Sequence, residues 1–158
     1  MKNKLMIIAS CALLLLAAGC KEQNKPETFA SDQPRPTWAT LANYDYTSSM
    51  TAVVKVDLKA QYPDQAADFV IKDDDLLAAF SGETCLGVAS PQDGLFYLYV
   101  AEPMTNDQSQ MTNQLVTLRY YSAYYKNLFI AVDAFPFRND DHLGTVAEPF
   151  TPTFVVVK

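Results

Sequence analysis

The segment LLAAFSGETCLGVA, residues 76–89, decides the fold class of this chain. Its two apolar runs, Leu76–Phe80 and Glu83–Ala89, are separated by Ser81-Gly82, which is typical of a tight β-hairpin turn. Both runs are almost continuously apolar, which predicts strands that are covered on both faces, as inside a sandwich. Gly87 within the second run predicts a bulge or the close approach of another backbone. The segment therefore predicts a buried antiparallel hairpin.

Further runs with strand patterns surround this hairpin. Met50–Leu58 alternates between apolar and polar residues over most of its length, as a half-buried strand does. Other short strands are predicted at Phe69–Ile71, Leu95–Val100, Gln114–Tyr121, Asn127–Asp133 and Thr153–Val157. Residues 37–158 are therefore predicted to fold as one all-β domain, an antiparallel β-sandwich of about seven to nine strands. A small barrel is the alternative.

The first 19 residues have the pattern of a bacterial export signal. Lys2 and Lys4 precede an apolar stretch of about 14 residues, which is shorter than the stretch a membrane-spanning helix requires. The following Leu16–Cys20 (LAAGC) resembles the lipobox of bacterial lipoproteins, with Leu one position further from the cysteine than is usual. The resemblance implies that residues 1–19 are removed and that lipid on Cys20 holds the protein to a membrane. An ordinary secretory signal is the alternative.

Residues 20–36 are predicted to comprise the lipidated cysteine and a flexible tether. This segment is polar, carries Pro26, Pro34 and Pro36, and has no apolar periodicity. Lys21-Glu22-Gln23 resembles the lysine-acidic export tag of surface lipoproteins in Bacteroidota. The resemblance implies an outer-membrane lipoprotein of the cell envelope that is exposed at the surface.

The charge argues against a protein that binds nucleic acid, and the cysteine content argues against a fold built on disulfides. The chain has 12 basic and 18 acidic residues, a formal charge of −6, which becomes −8 once Lys2 and Lys4 leave with the signal. Such an acidic surface disfavours nucleic acid as a partner. Of the three cysteines, Cys11 leaves with the signal and Cys20 is lipidated, so that Cys85 has no disulfide partner. We expect Cys85 to pack as a small apolar side chain.

No known catalytic motif occurs in the sequence. The single histidine, His142, lies in a polar turn beside Asp140 and Asp141, where a solvated turn residue is favoured over a Ser-His-Asp or Cys-His site. This acidic pair and Asp73–Asp75 lack the spacing of a calcium-binding loop. The sequence also lacks a set of histidines and cysteines that could bind zinc. The sequence therefore predicts no catalytic residue, no metal and no cofactor, and hence a protein that is not an enzyme. A small hydrolase, or an inhibitor of one, is the least supported alternative.

Tyrosines are the strongest candidates for a binding surface. Alternation places Tyr97 and Tyr99 on one face of their strand, whereas Tyr120 and Tyr121 point to opposite faces. Tyr121, Tyr124 and Tyr125 are the residues predicted to bind a ligand, because tyrosine is enriched at recognition surfaces. The alternative is that all of these tyrosines serve sheet packing, for which aromatic residues are also favoured.

The middle of the chain resembles a module of exported Bacteroidota proteins. The resemblance is carried by Asp74–Ala89, by the Met50 that begins the preceding strand, by Leu118–Ala123, and by Gly144 and Pro149 near the end. It implies an immunoglobulin-like sandwich of the kind found on surface or adhesion-type proteins. The expected function is thus that of a membrane-anchored, non-catalytic module that binds a protein or a glycan. A structural subunit of an envelope or fimbrial assembly is the alternative.

Overall fold

The computed structural model describes residues 29–40, 48–102 and 114–157. These residues form an all-β domain with two sheets and one short helix, α1 (Leu58–Gln61). The strands are β1 (Ser49–Val54), β2 (Leu76–Ser81), β3 (Thr84–Ala89), β4 (Pro91–Gln92), β5 (Leu95–Ala101), β6 (Leu115–Ser122), β7 (Asn127–Ala131), β8 (Phe135–Pro136), β9 (His142–Leu143) and β10 (Phe154–Val156). The prediction of an all-β sandwich is confirmed.

The two sheets differ in their connections. The four-stranded sheet has the order β4-β5-β1-β9. The six-stranded sheet has the order β10-β7-β6-β2-β3, and β8 pairs with one end of β6. All strand pairs are antiparallel except β1 with β9, which is parallel. This parallel pair joins parts of the chain that lie far apart in sequence, and it matters for the site described below.

The hairpin predicted at residues 76–89 is present as β2 and β3. Gly82 turns the chain with a φ of 58°, a left-handed conformation that glycine adopts without strain. The register shifts so that Leu86 has no direct partner between the pairs Ala79–Gly87 and Phe80–Cys85. A Cβ atom on Gly87 would collide with the carbonyl oxygen of Tyr99. The bulge and the close backbone approach predicted for Gly87 are therefore both confirmed.

The core lies between the two sheets. Alternating residues of β1, β5 and β6 point inward, and the largest side chains that are fully buried include Phe96, Tyr120, Phe129 and Phe154. Tyr120 is central, because its ring lies within 5.9 Å of the rings of Phe96 and Phe129 and 5.7 Å from that of Phe154. Burial of such rings is the main source of stability in a domain without disulfides.

Two predicted strands differ from the observed ones. The strand expected at Met50–Leu58 ends at Val54, because the Asp57 carboxylate accepts a hydrogen bond from the Ala60 N–H (3.1 Å) and caps α1 instead. The strand expected at Phe69–Ile71 is absent from the described residues. Its apolar residue Phe69 is buried by stacking on Tyr125, with ring centroids 5.9 Å apart, and needs no strand pairing to be buried.

Residues 29–40, here called the N-terminal segment, pack against the domain. The Ser31 and Gln33 N–H groups donate to the carbonyls of Tyr125 and Lys126 (2.8 and 3.0 Å). Further along, Trp38 packs edge-on against Phe80 on the outer face of the six-stranded sheet, with ring centroids 5.7 Å apart. The flexible tether predicted for residues 20–36 therefore does not extend over its described part, residues 29–36.

The predicted signal and the lipidated Cys20 lie outside the described residues. No helix within residues 29–40, 48–102 and 114–157 is long and apolar enough to cross a membrane. Anchoring by lipid at Cys20 thus stays a prediction.

Candidate functional site

The tyrosines that the sequence singled out are mostly buried. Tyr121 is 5% exposed, and its hydroxyl donates to the carbonyl of Gln33 in the N-terminal segment (3.3 Å). Tyr125 is 8% exposed and packs against Phe29 of the same segment. Of the three predicted binding residues, Tyr124 alone is open to solvent, at 40% exposure. A segment that the sequence assigned to the tether thus covers Tyr121 and Tyr125 and leaves Tyr124 accessible, and a binding role for these three residues stays a prediction.

Exposed tyrosines occur instead on the four-stranded sheet. Tyr97 and Tyr99 are 40% and 50% exposed, while Phe96, Leu98 and Val100 of the same strand are buried. Alternation along β5 thus separates an apolar inner face from a tyrosine-bearing outer face. The sequence carried this signal, since the two tyrosines lie two residues apart between apolar neighbours.

The strand register places polar side chains next to these tyrosines. Thr51 of β1 lies opposite Tyr99 on one side and opposite His142 of β9 on the other. Two residues further along β1, on the same face, Val53 lies opposite Tyr97. We call this outer surface, defined by Thr51, Val53, Tyr97, Tyr99 and His142, the tyrosine face.

A pocket of about 180 Å³ adjoins one corner of the tyrosine face. Its lining residues, which define what we call the edge pocket, are Ser49, Met50, Thr51, Asp140, Asp141 and His142. Inside it, Thr51 Oγ1 lies 2.5 Å from His142 Nδ1, within hydrogen-bond distance. The pocket is smaller than the roughly 300–1,000 Å³ of a typical small-molecule site, so it accommodates one small chemical unit rather than a whole ligand.

Backbone hydrogen bonds hold the walls of the edge pocket in place. The Asp140 N–H donates to the Ser49 carbonyl (2.8 Å), and the Thr51 N–H donates to the Asp141 carbonyl (3.0 Å). Asn139 adds a side-chain bond, because its Oδ1 accepts from the Ser49 N–H (3.2 Å). Asp140 has a φ of 58°, a left-handed conformation that Asp tolerates better than most residues. These bonds tie β1 to residues 139–141 and so fix the backbone of the pocket walls.

The Thr51–His142 pair does not form a nucleophile relay with the neighbouring aspartate. In such a relay a carboxylate binds the second ring nitrogen of the histidine and orients the ring. Here Asp141 Oδ1 accepts instead from the backbone N–H of His142 (2.9 Å), and its Oδ2 lies 4.0 Å from Arg138. Within the described residues, the pair lacks the carboxylate partner that a Ser-His-Asp-type mechanism uses.

Asp75, from the acidic cluster Asp73–Asp75, has a structural role. Its buried carboxylate accepts hydrogen bonds from the Tyr120 hydroxyl (2.5 Å), the Ala123 N–H (2.7 Å) and the Lys72 N–H (3.1 Å). Burial raises the pKa of Asp75, although these bonds act in the opposite direction. Burial also raises the pKa of Tyr120, which therefore remains a donor. Asp75 thus ties the start of β2 to the end of β6.

Metal ligands do not converge in the described part of the chain. No group of three or more His, Cys, Asp or Glu side chains there is placed to hold a metal ion. Cys85 has a free thiol on β3 that is partly exposed, and burial raises its pKa. Such a thiol is a weaker nucleophile than an activated cysteine, whose pKa is lowered.

Comparison with known proteins adds no relative to this picture. No family model, curated protein or solved structure matches the chain.

Proposed function

We propose that this protein is a membrane-anchored, non-catalytic binding module that presents the tyrosine face to a protein or a glycan. One observation carries the proposal: two exposed tyrosines and a fixed polar pocket share one surface of a regular sheet. Tyrosine combines a large apolar ring with a polar tip, and it is enriched at the centres of recognition surfaces.

The positions of Tyr97 and Tyr99 make them more than scattered surface residues. Single exposed apolar side chains are normal on a soluble protein. These two rings lie on consecutive outward positions of β5, about 7 Å apart along the strand. The pocket adjoins them through Thr51, which is the direct partner of Tyr99. Together they offer a continuous surface with apolar and polar parts.

A rigid β-strand scaffold also suits recognition. The rings stand on β5, which pairs with β1 from Phe96 to Ala101 and with β4 at Leu95 and Phe96. Little backbone order has to be gained on binding, so the entropic cost of association is low. Among the residues that the structure describes, no carboxylate completes a relay at Thr51–His142, which favours binding over catalysis for this surface.

An anchor at Cys20 in the outer membrane, with exposure at the cell surface, forms part of the proposal. Phe29, the first residue of the N-terminal segment, packs toward the Val54 end of β1, away from the edge pocket. β1 runs from Ser49 in the pocket to Val54, whose strand partner is Phe96. The Phe96 ring contacts that of Tyr120, which contacts that of Phe129. The Phe129 ring in turn contacts Phe29. Phe29 is nine steps along the chain from Cys20, a reach of at most about 32 Å. A lipid there would favour a pocket that faces away from the bilayer.

Affinity capture tests the proposed function. The full chain, solubilised in detergent, is used as bait against glycans and envelope proteins, beside a variant with Tyr97→Ala and Tyr99→Ala. The proposal expects a ligand that the wild type retains and the variant loses. Tyr124→Ala is the matched control, since Tyr124 has the same 40% exposure as Tyr97 but lies beyond β6. A ligand retained equally by all three proteins would contradict the assignment to this face.

One observation favours the alternative of an assembly subunit. β10 is an edge strand of the six-stranded sheet, and its Val155 is 41% exposed beside Ile130 of β7. An exposed apolar edge strand is a template for pairing with another chain. β10 has three residues, which limits the length of such pairing. Crosslinking in intact cells that yields only monomer would argue against this alternative.

A further inference from the structure

The edge pocket mixes hydrogen-bond donors with acceptors. The hydroxyls of Ser49 and Thr51 can do both, whereas the carboxylates of Asp140 and Asp141 only accept. When the Thr51 hydroxyl donates to His142 Nδ1, the proton of the neutral ring is on Nε2, which is then a donor. A ligand that complements this wall must itself donate and accept.

This mixture discriminates between classes of ligand. Phosphate, sulfate and carboxylate groups only accept hydrogen bonds, and two aspartates would repel them. An ammonium or guanidinium group only donates, so it would leave the His142 Nε2–H without an acceptor. Arg138, 4.0 Å from Asp141 Oδ2, also offsets part of the negative charge. Hydroxyl groups of a neutral sugar donate and accept at once, and therefore fit the wall best.

The tyrosines supply the second half of a sugar site. Sugar rings have apolar faces of C–H groups, which pack against the flat apolar surface of an aromatic ring. Adjacent strands lie about 4.8 Å apart, so Tyr99 is one strand spacing from Thr51 and about 10 Å from His142. Tyr97 lies a further 7 Å or so along β5. These spacings suit a ligand that is longer than the pocket itself.

We infer that the tyrosine face and the edge pocket together bind a neutral oligosaccharide. One sugar unit occupies the pocket of about 180 Å³, where its hydroxyls bond to Thr51, His142 and the aspartates. The following units lie across Tyr99 and Tyr97. This inference rests on the proposed function, and it adds the class of ligand and the direction in which the ligand lies.

A binding measurement with four classes of probe tests the inference. The full chain in detergent is applied to immobilised neutral oligosaccharides, sialylated glycans, sulfated glycans and a lysine-rich peptide, and then titrated with the best probe. The inference expects a neutral oligosaccharide, with little dependence of Kd on salt concentration. Tyr99→Ala is expected to weaken that Kd by a factor on the order of ten or more. Thr51→Val, which keeps the shape and removes the hydroxyl, should weaken it as well.

Controls separate a lost contact from a lost fold. Each variant is compared with the wild type by thermal unfolding, and Tyr124→Ala serves as an exposed tyrosine outside the site. Binding of the neutral probe that is unaffected by Tyr99→Ala and Thr51→Val would overturn the inference.

The remaining outcomes distinguish the inference from the proposed function. Binding of only the anionic glycans or the peptide, if weakened by Tyr99→Ala, would refute the neutral-sugar ligand and leave a binding module. If no probe binds and capture from envelope extracts also yields no ligand dependent on Tyr97 and Tyr99, both ideas are refuted.

Discussion

Replacing Phe29 with Ala should destabilise the domain, because its ring packs into an aromatic cluster. The ring lies 4.9 Å from that of Tyr62, 5.7 Å from that of Tyr125 and 5.6 Å from that of Phe129, in edge-to-face geometry. Truncation of a fully buried Phe costs about 3–5 kcal/mol. Phe29 is only partly buried, so we expect about half of this, roughly 2 kcal/mol. The Phe29 carbonyl still accepts from Asn127 Nδ2 (2.8 Å), since the backbone is unchanged.

Urea denaturation followed by circular dichroism measures this loss of unfolding free energy. Asp32→Ala is the matched control, because Asp32 is an exposed residue of the same N-terminal segment. The control should stay within about 0.5 kcal/mol of the wild type. If residues 29–36 were a flexible tether, the two variants would have the same unfolding free energy. If Phe29→Ala also stays within that range, the packed N-terminal segment is not part of the cooperative domain and the reasoning is refuted.

Three further perturbations test other parts of the structure. Gly87→Ala should lower the unfolding free energy by about 1–3 kcal/mol, because the added Cβ meets the Tyr99 carbonyl and the two backbones must separate; an unchanged denaturation midpoint would contradict the close approach. Burial raises the pKa of Asp75 above its ordinary value, so the folded state binds more protons and the unfolding free energy should fall as the pH rises from about 3.9 through the raised pKa. Asp75→Asn should reduce this fall, and an equal change in unfolding free energy between pH 4 and pH 7 in the wild type and the variant would refute it. Cys85 should react more slowly with iodoacetamide at pH 8 in the native protein than in urea, because burial raises its pKa; equal rates would contradict this.

Local sequence patterns were sufficient for the long strands of the fold. Alternation and turn residues located the hairpin at residues 76–89 and the strands β5, β6 and β7 to within a few residues. These strands are predictable because their own side chains form most of the core. The bulge and the close backbone approach at Gly87 were predictable for the same local reason. A glycine weakens an apolar strand, so its presence there often marks such a feature.

The two-residue strands could not be predicted in this way. β4, β8 and β9 contain no periodicity of their own, and each exists because a neighbouring strand offers unpaired backbone groups. β9 is the most consequential case, because its parallel pairing with β1 brings His142 to Thr51 across 91 positions of sequence. The edge pocket depends on this pairing. Its chemistry was visible in the sequence as a histidine beside two aspartates, but its location was not.

The tyrosines show that alternation along a strand does not predict how exposed a side chain is. Tyr99 on β5 and Tyr121 on β6 both point to the outer face of their sheets, and alternation predicts this for each. Tyr99 is 50% exposed and Tyr121 is 5% exposed, because the N-terminal segment crosses only the sheet that carries Tyr121. That segment is polar and proline-rich, and it packs through backbone hydrogen bonds and a few aromatic rings, which leave no periodic pattern. Alternation thus determines which face a side chain occupies, whereas its exposure depends on what crosses that face.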